Sequence, residues 1–189
     1  MDWASSSKPL AASTSADPSR RAPLLAATRG AGALLLRIGR GWALLPLAAW
    51  MALIWSVSSI SGRTLVAAPL PSAFLRNLAH AFEFGVLALF AALLAPRARG
   101  WARLDARACA LVVLGVALYG VVDEVHQSRT PGRSATWEDV VTDLVGGASV
   151  LLVAAYAGRA DATERGIWLR FGAAALACLA SAGVATWVV

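Results

Sequence analysis

Three short groups of ionisable residues interrupt a chain that is 58% hydrophobic and only 15% charged. The first is His80 with Glu83, preceded by Asn77. The second is Asp123-Glu124-Val125-His126-Gln127. The third is Asp139 and Asp143, with Arg129 and Arg133 just ahead of them. A histidine and a carboxylate three positions apart on a helix form a spacing that metal sites in helical bundles use. Asp123, Glu124, His126, Asp139 and Asp143 supply further oxygen and nitrogen donors. A divalent cation held among them would activate water against a lipid-linked phosphate. Without a metal, His80 as general base and a carboxyl as general acid is a second chemistry. The forked guanidinium donors of Arg129 and Arg133 suit a phosphate or a carboxylate.

Each of these residues also has an ordinary role open to it. A histidine among carboxylates is more often a hydrogen-bonded structural partner than a catalyst. Thr136-Trp137-Glu138-Asp139 fits a capping box, with Thr136 as N-cap and Asp139 at the third helical position. Charges within a bilayer usually pair, so at least one of Arg129 and Arg133 is expected against Asp123, Glu124 or Asp139. No HExxH, GxSxG or recognised Cys-His context occurs, and so enzymatic activity is the alternative reading, not the first. Cys109 and Cys178 stand alone in apolar runs and make neither a disulfide framework nor a CxxC pair. No resident metal or cofactor is assigned on this basis.

The elements that must position these groups are apolar segments. Charged residues at 15% fall well below the roughly 25% of soluble domains, and a disordered chain would be polar. Five apolar segments follow one another: Trp42–Ile60, Leu78–Ala95, Ala108–Val122, Val140–Ala157 and Phe171–Val189. A helix needs about 20 residues to span a bilayer. The third segment is the shortest, and reaches that length by continuing as helix into Asp123-Glu124. The fold expected is an all-α polytopic bundle with about five spans, covering 42–189. Residues 1–41 read as a cytoplasmic arm. Its Ser-, Ala- and Pro-rich start (1–23) reads as disordered. Residues 24–41 are either a basic linker or a helix on the membrane surface, since Arg29, Arg37 and Arg40 would fall within about 80° of one another on a helix. Ser19-Arg20-Arg21 is reminiscent of a twin-arginine signal, but Arg29 and Arg37 interrupt the apolar stretch that would have to follow.

The net charge of +6 is distributed as in membrane proteins, not as in nucleic-acid binders. With a cytoplasmic N-terminus, thirteen Lys and Arg residues fall on the inside. Only Arg63, Arg76, Arg129 and Arg133 fall outside. That bias predicts N-in, C-out. Trp42 and Trp168 then lie at inner boundaries, and Trp137 and Trp187 at outer ones, as amphipathic rings prefer. All three polar groups share the outer side. Each ionisable group within a bilayer costs at least ~2.5 kcal/mol on insertion scales, so a cluster across three helices marks a site. Below it, Gly146 and Gly147 continue the helical period of Asp139 and Asp143 and would admit a neighbouring helix closely.

These stretches resemble the VanZ-like membrane proteins. Ile54-Trp55-Ser56-Val57-Ser58-Ser59 is similar to that family's apolar helix ending in a serine pair. Asn77-Leu78-Ala79-His80, with Phe84 and Leu87, is like its Lys-x-x-His-x-x-x-Tyr/Phe-x-x-Leu stretch. Asp123-Glu124-Val125-His126-Gln127, then Arg133, Asp139, Asp143 and Gly146, looks like its longest signature, which has Asn where Asp143 stands. Asn77 replaces the frequent lysine, with Arg76 beside it. The resemblance covers about residues 50–157. It implies an envelope protein of a bacterial cell membrane, since the family's namesake is associated with low-level resistance to teicoplanin. The partners implied are membrane lipids, a peptidoglycan precursor or the glycopeptide drug, and no nucleic acid. The residues to which the site is assigned are His80, Glu83, Asp123, Glu124, Gln127, Arg133, Asp139 and Asp143. An intramembrane enzyme acting on a lipid-linked phosphate is the alternative, and an ion-coupled carrier ranks last.

The orientation is testable directly. In a protein with Cys109 and Cys178 replaced, single cysteines placed between 123 and 139 should react with a membrane-impermeant thiol reagent on intact cells. Protection there with labelling at 97–107 inverts the topology.

Overall fold

Several large leucines face outward while two carboxylates are fully buried. Leu111, Leu118 and Leu176 are at least 60% exposed, while Asp123 and Asp143 are 0% exposed. A water-soluble bundle would bury the first set and expose the second. The computed structural model describes residues 22–61, 73–133 and 135–187. The predicted tail, the Arg20-Arg21 pair and Arg63 lie outside the described residues.

Four helices are long and apolar enough to cross a membrane. With the two shorter helices they run, in chain order, as α1 (Pro23–Leu35), α2 (Leu44–Ser58), α3 (Ala73–Ala92), α4 (Ala106–Gln127), α5 (Trp137–Ala157) and α6 (Glu164–Trp187). A two-stranded hairpin, Arg97–Ala98 with Trp101–Ala102, turns through Arg99 and Gly100 between α3 and α4. The all-α membrane bundle read from the sequence is the fold observed, and the chain is a multi-pass membrane protein.

Sequence signals account for the helix starts. Pro23 occupies the first turn of α1, where its missing N–H costs nothing. Asp105 caps α4 by accepting from the Ala108 backbone N–H at 2.9 Å. Thr136 caps α5 by accepting from the Asp139 backbone N–H at 3.3 Å, as the capping-box reading expects. The predicted continuation of α4 is also observed: it runs unbroken through Asp123-Glu124 to Gln127 and reaches 22 residues. The short element is instead α2, at 15 residues.

One expectation needs correction. Arg29, Arg37 and Arg40 do not share a helical face, because α1 stops at Leu35. Each of the latter two lies in the turns beyond it. Arg29 donates to the carbonyls of Ala157 and Arg159 (2.9 and 2.7 Å), at the end of α5. Arg40 donates to Leu94 past the end of α3. Helix C-termini leave carbonyls without partners, and arginines satisfy them. Reciprocally, Glu164 accepts from the Leu24 and Leu25 N–H groups at the start of α1. The helix is thus docked onto the α5–α6 turn.

The most extensive contact pairs α3 with α5. Glycines make it close. A Cβ on Gly146 would collide with the backbone of Ala81, and one on Gly85 would press on Val150 at 3.2 Å. Around this pair Ile54, Phe84, Leu87, Val112, Val116 and Leu151 form the apolar core. Polar tips tie α2 in place: Trp50 donates to the Glu83 carbonyl (2.8 Å) and Tyr119 to the Met51 carbonyl (2.6 Å).

Gly146→Val should lower the melting temperature of the detergent-solubilised protein, with a loss of about 1–3 kcal/mol as overpacked cores show. Gly115 has no atom within 4 Å of an added Cβ. Gly115→Ala should therefore leave the melting temperature unchanged or raise it, by up to about 1 kcal/mol of helix propensity.

Candidate functional site

The start of α3, the end of α4 and the start of α5 lie at one end of the bundle, and the three polar groups meet there. Asp123, Glu124 and Gln127 lie on consecutive turns of one α4 face and are buried. Asp143 is fully buried on α5. His80 reaches it from α3, with Nδ1 at 3.3 Å from Asp143 Oδ1. The contact is an ion-pair distance without hydrogen-bond alignment. Gly120, one turn before Asp123, makes room for this pair: an added Cβ would stand 3.0 Å from Asp143 Oδ2.

Each α4 carboxylate is held by one oxygen only. Gln127 Nε2 donates to Asp123 Oδ2 at 2.7 Å. The Thr136 backbone N–H donates to Glu124 Oε2 at 2.9 Å. In a complete capping box that N–H would go to the residue three positions on. Here Glu124 of the preceding helix takes it, and its charge sits at the positive end of the α5 dipole. The second oxygens, Asp123 Oδ1 and Glu124 Oε1, are buried without a hydrogen bond, as are Arg133 Nε and both oxygens of Asp143, whose Oδ1 has only the His80 ion contact. One donor atom each from His80, Asp123 and Glu124 lie within 4.8 Å of one another.

The other predicted site residues surround this centre. Glu83 is within electrostatic range of His80, Asp123 and Arg133. Asp139 is within range of His80 and Glu124. The expected pairing of Arg129 or Arg133 with a carboxylate is not observed among the described residues, whose ion pairs are His80–Asp143, Arg103–Asp105 and Arg159–Asp161. Arg133 instead makes a long contact, 3.4 Å, to the Val57 carbonyl. His126 faces away from the centre. It stacks on Trp55 at 3.7 Å and hydrogen-bonds Ser59 at 2.9 Å, so the serine-pair motif and the α4 motif meet there. Asn77 donates to Thr186 of α6. Gly120 and the Thr136 N–H belong to the site as well, beyond the residues assigned to it from the sequence. A glycine one turn before Asp123 on its own face was the available signal for the first.

A bundle of helices apolar enough to span a membrane that buries an acidic cluster with one histidine at one end defines the class: a polytopic membrane protein with a buried polar cluster. The model of the VanZ/LLP1 family matches residues 25–157, and the chain belongs to that family. The match takes in α1 and ends with α5, so it begins further toward the N-terminus than the motifs alone indicate. No curated protein and no solved structure matches the chain.

Gln127→Leu would leave Asp123 Oδ2 buried without its donor. It should destabilise the bundle by about 1–3 kcal/mol, the cost of an unsatisfied buried acceptor. Adding Asp123→Asn should recover part of that loss, because the stranded charge goes with it. Melting curves of the two single variants and the double variant check the coupling.

Proposed function

We propose that this protein acts in the bacterial cell envelope. Its polar site faces outward and binds the anionic headgroup of an envelope lipid or peptidoglycan precursor, lowering the effect of teicoplanin-type glycopeptides. The observation that carries this reading is Arg133. Its Nε is buried beside the acidic cluster with no partner, and the guanidinium forms no ion pair with Asp123, Glu124 or Asp139. A guanidinium with a free buried Nε, whose one hydrogen bond is the long contact to the Val57 carbonyl, keeps donors available for phosphate or carboxylate.

Two further features support it. The excess of arginine at the opposite ends of the spans favours an outward-facing cluster. A groove of about 720 Å³ opens between α3, α5 and α6. Leu75, Leu78, Phe82, Val86 and Leu89 line its α3 side. It begins at the same end as His80 and runs toward the middle of the bundle, as an acyl or prenyl chain would. A carrier would place its site near the midplane. This cluster lies within about two turns of the helix ends.

In a sensitive Gram-positive host, wild-type protein should raise teicoplanin tolerance selectively, with vancomycin as control. Asp123→Asn and Arg133→Gln, at matched membrane levels, should return it to the host value. Unchanged susceptibility with the wild type overturns the glycopeptide role.

A further inference from the structure

The cluster holds more acceptors than donors. Five carboxylates (Glu83, Asp123, Glu124, Asp139 and Asp143) lie within electrostatic range of His80 or of one another. Among the described residues, the cations recorded acting on them are Arg133 and, when protonated, His80. Asp143 is 0% exposed, and neither of its oxygens has a hydrogen bond. Buried charge of this kind is normally paired or coordinates a metal. The free oxygens are not randomly placed either. Asp123 and Glu124 are each anchored by one oxygen, to Gln127 and to the Thr136 N–H, and each keeps a second, buried oxygen without a hydrogen bond, while one donor atom from each lies within 4.8 Å of one from His80.

We propose that His80, Asp123 and Glu124 bind one first-row divalent cation, Zn²⁺ or Mn²⁺, with Asp143 orienting the His80 ring. One imidazole nitrogen and two carboxylate oxygens suit such ions better than Ca²⁺ or Mg²⁺, which take oxygen-only shells. Donors around a cation at about 2.1 Å stand roughly 3.4 Å apart in a tetrahedron. The donor atoms of these three side chains lie within 4.8 Å of one another without a cation. A carboxylate against the imidazole is the outer support that metal-binding histidines use, and the Gln127 and Thr136 bonds do the same for the carboxylates. Three protein ligands leave at least one position open. The site stands on these residues alone and holds whether or not a headgroup binds.

The test uses the full chain in detergent micelles, purified without a polyhistidine tag, with Cys109 and Cys178 changed to Ala. After stripping with EDTA, the protein is equilibrated with Zn²⁺ or Mn²⁺ and bound metal is counted by elemental analysis. Affinity is read by chelator competition. The expected result is about one equivalent per chain, and a melting temperature that rises with metal as linkage requires. Asp123→Asn and Glu124→Gln should each abolish the stoichiometric binding and the metal-dependent rise. Asp143→Asn should weaken affinity by about 10–100-fold, as loss of an outer-shell partner does. Glu138→Gln, outside the cluster, should bind as wild type. Melting without metal shows whether each variant is folded. A wild-type protein that takes up no stoichiometric metal overturns the proposal, and so do folded Asp123→Asn and Glu124→Gln variants that bind like wild type. Metal content and teicoplanin tolerance are separate readouts, so a failure of the metal site is distinguishable from a failure of the glycopeptide role.

Discussion

Burying carboxylates is the constraint around which this bundle is arranged. A charge taken from water into an apolar interior costs several kcal/mol even after relaxation, and it must be offset locally. Asp123, Glu124 and Asp143 are offset in three different ways: by a side-chain amide, by a helix-capping N–H and by an imidazole. Each offset comes from a different place along the chain. The first is within α4, the second links α4 to α5, and the third links α5 to α3. The three helices therefore cannot shift against one another without stranding a carboxylate. The polar site acts as the bolt of the bundle at that end, whatever else it does.

Close packing lower down makes the bolt possible. Helix association in lipid lacks the hydrophobic driving force that water supplies, so small residues and polar bonds must hold helices together. Gly146 lets α5 meet the backbone of α3 at Ala81, and Gly147 meets Val116 of α4. Both glycines lie one turn beyond Asp143. The approach they permit is what brings an α5 carboxylate within reach of His80, one residue before Ala81. Gly120 serves from the α4 side. Replacing any of the three with a larger residue would open the space in which the carboxylates meet.

Local structure was legible in the sequence wherever a residue's role depends on its near neighbours. The Thr136 cap, the close approach at Gly146 and the run of α4 into Asp123-Glu124 all follow from spacing along one helix. The gathering of the polar groups at one end was legible from helix lengths and arginine counts. Which residue meets which across helices was not. His80 reads most naturally with Glu83, three positions away, but its closest charge partner is Asp143 on another helix. Glu124 bonds the Thr136 N–H because the α4–α5 connection folds back on itself, and no pattern in the sequence announces that. The arginines of residues 24–41 suggest a surface-lying face by their periodicity. In the structure helix-end carbonyls claim two of them, since an unpaired carbonyl in an apolar setting attracts any donor within reach. Periodicity reports faces; it does not report which cross-chain partner wins.

An acidic cluster is at first sight a poor receptor for an anionic headgroup. Coulomb repulsion in a partly desolvated site would oppose any phosphate that approached Asp123 and Glu124 directly. Arg133 offsets only part of that repulsion. A divalent cation on His80, Asp123 and Glu124 would neutralise two carboxylates and leave a coordination position open, to which a phosphate oxygen could bind with Arg133 alongside. The tail of such a lipid would then lie along the apolar groove beside α3, which begins at the same end. Under the two proposals together, an excess of acid in the site and the binding of an anion would not conflict, because the carboxylates would recruit the charge that the anion then meets. The two proposals would also account for where the site lies. A cation and a headgroup must both arrive from water, and the ends of the helices, not their middles, are where water is.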